Sequence, residues 1–389
     1  MIVGVPKEIM PGERRVAVTP DTCRKLCGKG MKVLVQAGAG EGAFLRDEDY
    51  ASAGGTVVAD AEEVYRQAEL ILKVKEPQFC KTTHRHEVSM MRPGQFLVTF
   101  LHPASPSNHE MIRQLAAQGV TALTLDSVPR ISRAQTMDAL TSMSTVAGYK
   151  AALMAADRLS CFMPMVATAV GMLPPSKVLV VGAGVAGLQA LATAKRLGAV
   201  IFAADVRPAA REQATSLGAK IHDLGVPDDI AVGEGGYARS LPADWLVKER
   251  EALKPAVKDA DIIILSALVP GRRAPVLVTA DMVRSMKPGS AIVDIAIDQG
   301  GNCETTSPGE VVVRNQVSID GTKNIPGMVP VASTRMFAEN VCNFVSLLVD
   351  GTTLRLTLDD EILAACLVTH QGRIVHAGAL EAMQQSSAR

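Results

Sequence analysis

Lys177-Val178-Leu179-Val180-Val181-Gly182-Ala183-Gly184-Val185-Ala186-Gly187 is the stretch on which the reading of this chain turns. Its apolar, largely β-branched opening reads as a strand buried on both faces, and residues 188–197 beyond it as a helix. Between them Gly182, Gly184 and Gly187 stand at G-x-G-x-x-G spacing. In a strand-to-helix context the first glycine permits the tight turn, the second lets a pyrophosphate approach the backbone, and the third lets the helix pack on the strand. Gly182, Ala183, Gly184, Val185 and Ala186 are therefore expected around the phosphates of a dinucleotide. Asp205 closes the next apolar run, eighteen residues after Gly187. A carboxylate there accepts hydrogen bonds from the adenosine ribose and repels a 2′-phosphate, which favours NAD over NADP. Arg207 nearby weakens that preference without reversing it.

Outward from this turn, the chain alternates strand and helix. Residues 33–35, 70–74, 96–100 and Thr121–Thr124 read as strands, and Pro20–Gly28, 47–53, 61–68 and 106–118 as helices. A long helical segment follows at 132–157, broken only by Gly148, with Ser132 as its N-cap. Past the glycine turn, 201–205, Ile262–Leu265 and 291–297 read as strands, and 223–245 as a loose surface excursion. Residues 333–349 read as a helix and 352–375 as hairpin-like. Such alternation predicts an α/β fold with parallel sheets. The uncharged stretch 159–176 is cut by Pro164, Pro174 and Pro175 and reads as buried elements of a soluble protein, not a membrane span.

Composition narrows the function. Lys+Arg and Asp+Glu are 40 each, so no excess of positive charge marks a nucleic-acid binder, and 3% aromatics removes the stacking platforms of a single-strand binder. The seven cysteines form no CxxC pair, and no histidine cluster accompanies them, so no metal site is expected. Reduced cysteines and an N-terminus that meets a charge and a proline at once point to the cytoplasm.

A second set of residues suggests acid–base and anion chemistry. Lys75, His102 and Asp298 follow the runs 70–74, 96–100 and 291–297, at the strand ends where open α/β sheets place ligands. Arg15 lies where a loop enters the first helix. Two cations suit a carboxylate, and a histidine with a carboxylate suits proton transfer near neutral pH. Each has an ordinary structural alternative, and spacing alone does not join them.

Assembled, these segments resemble the alanine dehydrogenase and proton-translocating transhydrogenase α-subunit family over nearly the whole chain. The resemblance rests on Arg15-Val16-Ala17-Val18-Thr19-Pro20, Gln36-Ala37-Gly38-Ala39-Gly40-Glu41-Gly42, the glycine turn and Met286-Lys287-Pro288-Gly289-Ser290. It implies two Rossmann-like domains, the N-terminal one (1–140) completed by the C-terminal segment (332–389), and an NAD(H)-binding domain over 141–331. It adds Ser144, Leu268, Val269, Ile297, Asp298 and Gln135 to the expected cofactor contacts. The two branches are mixed here. Asp126-Ser127-Val128-Pro129-Arg130-Ile131-Ser132-Arg133-Ala134-Gln135, Gly235-Gly236-Tyr237-Ala238 and Gly300-Gly301-Asn302-Cys303 are similar to transhydrogenases. Arg15, Lys75, His102 and Asp298 match the dehydrogenase positions that handle substrate. The leading expectation is NAD-dependent oxidative deamination of a small L-amino acid to its 2-oxo acid. In it Arg15 and Lys75 hold the carboxylate, His102 shuttles protons and Asp298 orients water or the amino group. The alternative is the soluble NAD(H)-binding portion of a transhydrogenase α subunit, with membrane-embedded subunits as partners. Either implies a homo-oligomer without membrane insertion of its own.

Overall fold

The structure is a computed structural model that describes the chain except residues 82, 234, 235, 237, 270–272, 388 and 389, and the side chains of 385–387. Of the transhydrogenase-like Gly235-Gly236-Tyr237-Ala238, Gly235 and Tyr237 thus lie outside the described residues. The chain divides into two compact units, Met1–Met143 with Gly327–Arg389, and Ser144–Pro326.

In the first unit eight strands form one sheet, in the order Arg373–Ile374, Leu367–His370, Thr121–Thr124, Phe96–Thr99, Leu70–Leu72, Ile2–Val5, Lys32–Gln36, Thr56–Val58. The six N-terminal strands run parallel, and Leu367–His370 joins Thr121–Thr124 antiparallel, so the C-terminal segment completes this sheet. Chain order reverses between Ile2–Val5 and Leu70–Leu72. Glu8 follows the first of these strands and Lys75 the second, which places both at the switch point where such sheets bind ligands.

The second unit repeats the plan. Its sheet runs Lys220–Ile221, Val200–Ala204, Lys177–Val181, Ile262–Leu265, Ala291–Asp294, Val317–Asp320, Val311–Arg314, all parallel but the last. Alternate side chains serve opposite faces: Val178 and Val180 pack into one core with Ile262 and Ile264, while Leu179 and Val181 join Ile263 and Leu265 in the other. This two-sided burial explains the unbroken apolar runs. Order reverses between Lys177–Val181 and Ile262–Leu265, so the glycine turn and the segment from Ser266 share this unit's switch point.

The structure corrects several expectations. The long helix runs Ala139–Arg158, capped by Asp138, whose carboxylate accepts from Thr141 N at 2.8 Å; Ser132 instead opens a separate 3₁₀ turn, Ser132–Met137. Asp294 ends its strand early and Ile295–Gln299 forms a 3₁₀ turn, so Asp298 sits on that turn. Residues 352–375 contain a helix, Glu361–Cys366, capped by Asp360. The segment expected to be buried around 159–176 carries an exposed hairpin, Val166–Thr168 against Gly171–Leu173, with Val170 96% exposed.

Gly148 proves to be a packing residue. A Cβ there would lie 2.0 Å from the Ala186 carbonyl oxygen, in the first turn of helix Val185–Arg196. Backbone on both sides leaves no flexible group to give way. Gly148→Ala is expected to cost about 1–3 kcal/mol, as overpacking does, and to lower the melting temperature measured by calorimetry.

Candidate functional site

In the second unit the turn after Lys177–Val181 has the geometry a dinucleotide needs. Gly182 adopts φ +90°, and a Cβ on it would strike the Ala267 backbone at 2.6 Å. A Cβ on Gly187 would lie 2.0 Å from the Gly182 carbonyl oxygen. Gly184 differs: the nearest atom to a Cβ there is Arg207 Nη2 at 3.8 Å, so the space above it is open. Gly184 is the N-cap of helix Val185–Arg196 and offers no side-chain acceptor, which leaves first-turn N–H groups to an incoming anion. Ser266 Oγ donates to the Gly182 carbonyl at 2.6 Å, tying the two switch-point strands together. Asp205, only 6% exposed, accepts from Ala183 N at 2.7 Å and is paired with Arg207. These residues fit the pyrophosphate and ribose of NAD(H).

The neighbouring loops are held by two buried polar residues. Asp294 accepts from the backbone of Asn302 (2.9 Å) and Cys303 (3.0 Å), and burial pushes its carboxyl up despite these bonds. The Asn302 side chain accepts from Ala267 N and donates to the carbonyls of Ala267 and Pro275. That fixes the path into Leu268 and Val269. Ile297 is buried and Asp298 exposed on the 3₁₀ turn beyond Asp294, where Asp298 accepts from Asn324 N at 3.4 Å. Ser144 is half-buried in the helix Ala139–Arg158.

In the first unit His102 is set by Asp126. Asp126 Oδ1 meets His102 Nδ1 at 2.7 Å, and Oδ2 accepts from the backbone N–H of Leu101 (3.0 Å) and His102 (2.7 Å) and from Thr124 Oγ1. This clamp holds His102 at φ +46° and the ring lies stacked on Phe100. Burial works against charge on the imidazole, but Asp126 outweighs it and holds the pKa above its ordinary value. Lys75 is close enough to oppose that rise. Asp126 itself stays well below the usual carboxylate range: burial opposes its charge, and the His102 imidazole outweighs burial.

Beneath Lys75 is a buried ion cluster. Fully buried Lys73 donates to Glu8 (3.2 Å) and Glu87 (2.9 Å), and Tyr65 Oη donates to Glu87 at 2.8 Å. Glu8 also accepts from the backbone N–H of Val74 and Lys75, and thereby seats the loop. With two acids to one lysine, burial pushes Glu8 up to about 7. Arg15 is 2% exposed and bonds Glu13 through Nε (2.8 Å) and Nη2 (2.6 Å), with Nη1 against Met143 Sδ. Gln135 is exposed on the 3₁₀ turn Ser132–Met137, which Asn340 and Asn343 fasten through the Thr136 carbonyl.

Within the first unit, then, Lys75 and His102 come together and Arg15 is buried against Glu13. Within the second the glycine turn and Asp205 meet. Sequence reasoning did not single out Asp126, Glu8, Glu13 or Asn302. The one available signal was position: Glu8 follows a strand, as Lys75 does.

Comparison with known proteins finds relatives along nearly the whole chain. The family model "Alanine dehydrogenase/PNT, N-terminal domain" matches residues 4–147, and "Alanine dehydrogenase/PNT, C-terminal domain" matches residues 151–377. In Rhodospirillum rubrum, the first of the polypeptides that make up NAD(P) transhydrogenase subunit alpha is 42% identical over 381 residues, 97% of this chain and 98% of that protein. Alanine dehydrogenase of Halomonas elongata is 36% identical over 390 residues, 98% and 96%. The crystal structure of transhydrogenase from Sinorhizobium meliloti superposes with a TM-score of 0.82 at 37% identity, covering 97% of this chain and 99% of that one.

The electrostatics of both units can be measured. In a proton NMR titration the His102 imidazole should titrate above 6.5, and Asp126→Asn should lower its midpoint. Glu249, 5% exposed, is pushed up to about 7 by burial and then by Asp205. A carboxyl raised in the folded state loses stability as pH climbs from its unfolded value to the folded one. Glu249→Gln should therefore leave stability unchanged near pH 4 and add up to about 3 kcal/mol at pH 8, read by denaturant melts.

Proposed function

Because the chain belongs to the alanine dehydrogenase/PNT family, we propose that it is the NAD(H)-binding component of an NAD(P) transhydrogenase whose α subunit is split between polypeptides. Members of this family are NAD-dependent oxidoreductases that bind NAD(H), and this chain is one of them. The observation that carries the narrower reading is the 42% identity, end to end on both chains, with a protein that is itself one piece of a split α subunit. The expected amino-acid dehydrogenase activity becomes the second reading.

When bound, the nicotinamide ring supplies the hydride chemistry. The chain's own residues bind and orient. The N–H groups after Gly184 take the pyrophosphate, and Asp205 takes the ribose hydroxyls. Leu268, Val269 and Ile297 give the nicotinamide end an apolar wall, held in place through Asn302 and Asp294. Ser144 and Gln135 are assigned to the cofactor on the same resemblance, and Asp298 to the nicotinamide end. The partners in this proposal are membrane-embedded and NADP(H)-binding subunits, and the chain works on the cytoplasmic side. Among the described residues no helix is long and apolar enough to cross a membrane. We also propose a homo-oligomer, since the hairpin Val166–Thr168/Gly171–Leu173 leaves Val170 and Met172 in water, 96% and 69% exposed.

One observation favours the second reading, oxidative deamination of a small L-amino acid. Lys75 lies near enough to His102 to act on its charge, and Asp126 holds the His102 Nδ1, which leaves the other ring nitrogen for proton transfer. In this reading the family resemblance alone makes Lys75 and Arg15 carboxylate ligands and Asp298 a second acid–base group. The test combines NAD⁺ with a panel of L-amino acids, then supplies NADH and an NADP⁺ analogue with a transhydrogenase's NADP(H)-binding and membrane subunits. The expected outcome is no NADH from any amino acid and hydride exchange once the subunits are present. Amino-acid-dependent NADH formation that His102→Ala lowers at least a hundredfold would overturn the proposal in favour of the dehydrogenase.

A further inference from the structure

The C-terminal helix Ala377–Ser387 is closed at its start by a histidine. The His376 carbonyl accepts from Leu380 N at 3.1 Å, and the ring Nδ1 accepts from Ala379 N at 3.1 Å, as an N-cap side chain does. A ring nitrogen that accepts from a backbone N–H carries no proton. The proton of the neutral ring is therefore on Nε2, which donates to Ser127 Oγ at 2.9 Å. Both nitrogens are committed, in the one tautomer that serves both bonds. That tautomer also denies His376 the part of a general base toward Ser127.

Protonation sets donor against donor. A charged imidazole has an N–H at each nitrogen, and the one on Nδ1 would face the Ala379 N–H. Cap and charge thus exclude each other. Burial disfavours the charge as well and lowers the pKa of this half-buried ring, with Asp126 opposing it. Asp126 does not reverse the balance, because its carboxylate is spent: Oδ1 on His102 Nδ1, Oδ2 on Leu101 N, His102 N and Thr124 Oγ1. Of the other titratable groups near this helix, Arg373 on the preceding strand is exposed and His370 bonds Thr121. Glu110 and Arg113 of helix His109–Ala117 pair with each other, and Glu381 stands past the first turn of the C-terminal helix itself.

What the cap secures reaches beyond the helix. Ala379 and Met383 are buried, and Met383 belongs to the core cluster that holds Leu101. The helix also rests on the turn Pro106–Asn108, from which Asn108 Nδ2 donates to the Leu101 carbonyl at 2.9 Å. Ser105, just before that turn, donates its N–H to the His102 carbonyl at 2.9 Å. The loop that carries His102 is thus braced by the C-terminal helix.

We propose that helix Ala377–Ser387 is an acid-released clamp on residues 101–108: it is closed while His376 is neutral and opens when His376 takes a proton from solvent. A histidine whose folded pKa is depressed leaves stability intact above its ordinary value near 6.5, and costs stability progressively as pH falls below it. The clamp therefore holds above about pH 6.5 and loosens below it, whichever oxidoreductase activity the chain performs.

Hydrogen–deuterium exchange of the full chain at pH 7.5 and pH 5, corrected for the intrinsic pH dependence of exchange, reads the clamp directly. Protection of residues 377–387 should fall about fivefold at pH 5, the typical worth of an N-cap, and that of 101–108 should fall with it. Lys177–Val181 in the other unit should keep its protection, which separates opening of the clamp from acid unfolding of the chain. His376→Asn and, as a second variant, His376→Ser keep a cap that does not titrate, and should be equally protected at both pH values. His376→Ala, uncapped throughout, should show the acid level of protection already at pH 7.5. Protonation of His102 over the same interval strengthens its pair with Asp126 and tightens the loop, so it acts with the opposite sign. Unchanged protection of 377–387 in wild type, an acid loss that persists in the asparagine and serine variants, or a helix that opens without the loop would each overturn the proposal.

Discussion

Two carbonyl oxygens in one turn have nowhere to go unless particular residues lack a side chain, and the second unit is organised around that constraint. The Gly182 carbonyl faces Gly187 and the Ala186 carbonyl faces Gly148, each with room for a hydrogen only. Helix Val185–Arg196 can then lie close against both its own strand and helix Ala139–Arg158. With the turn clamped this way, Ala183 N points at Asp205 and Ser266 Oγ reaches Gly182. The open space over Gly184 is the remainder: the one glycine of the turn whose absent side chain is not filled by backbone. The turn keeps one opening because every other direction is crowded.

Much of this was legible in advance, and the reason is period. Buried strands such as Ile262–Leu265 serve two cores and read as unbroken apolar runs, and helices such as Pro20–Gly28 carry a proline at the start and a capping Thr19. The glycine spacing sits at a strand–helix junction where only one geometry satisfies it. What stayed hidden depended on partners far away in sequence. The strand Ile2–Val5 is four residues long and gains its identity from two neighbours at Lys32–Gln36 and Leu70–Leu72. The hairpin Val166–Thr168/Gly171–Leu173 is apolar yet exposed, and apolar composition alone reads as burial. The early end of Ala291–Asp294 follows from a carboxylate that turns back to bond Asn302 and Cys303.

The site residues divide on the same principle. Gly182, Gly184 and Asp205 belong to one local pattern whose members need one another within a short stretch. The clusters of the first unit are assembled from separate strand ends. Glu8 comes from the loop after the strand at one side of the switch point, Lys73 from just past the strand at the other, and Glu87 from a 3₁₀ turn beyond. Charged residues at such positions look like solvated loop charges until the sheet brings them under one roof. Once buried, a lysine with two acids holds its proton firmly while Glu8 approaches neutrality near pH 7, which limits the charge the interior must carry.

His102 and Lys75, which seemed to speak with one voice for amino-acid chemistry, carry different weight once their surroundings are known. Asp126 binds the backbone N–H groups of Leu101 and His102 as well as the imidazole, so the histidine helps to hold its own loop in a left-handed turn. A transhydrogenase component has a structural use for such a residue. Among the described residues the Lys75 ammonium has no hydrogen bond or ion pair of this kind; the loop is seated through its backbone N–H on Glu8, while its charge opposes that of His102. The case for a carboxylate substrate in the first unit therefore rests on Lys75, the residue whose placement folding does not explain, and only secondarily on His102.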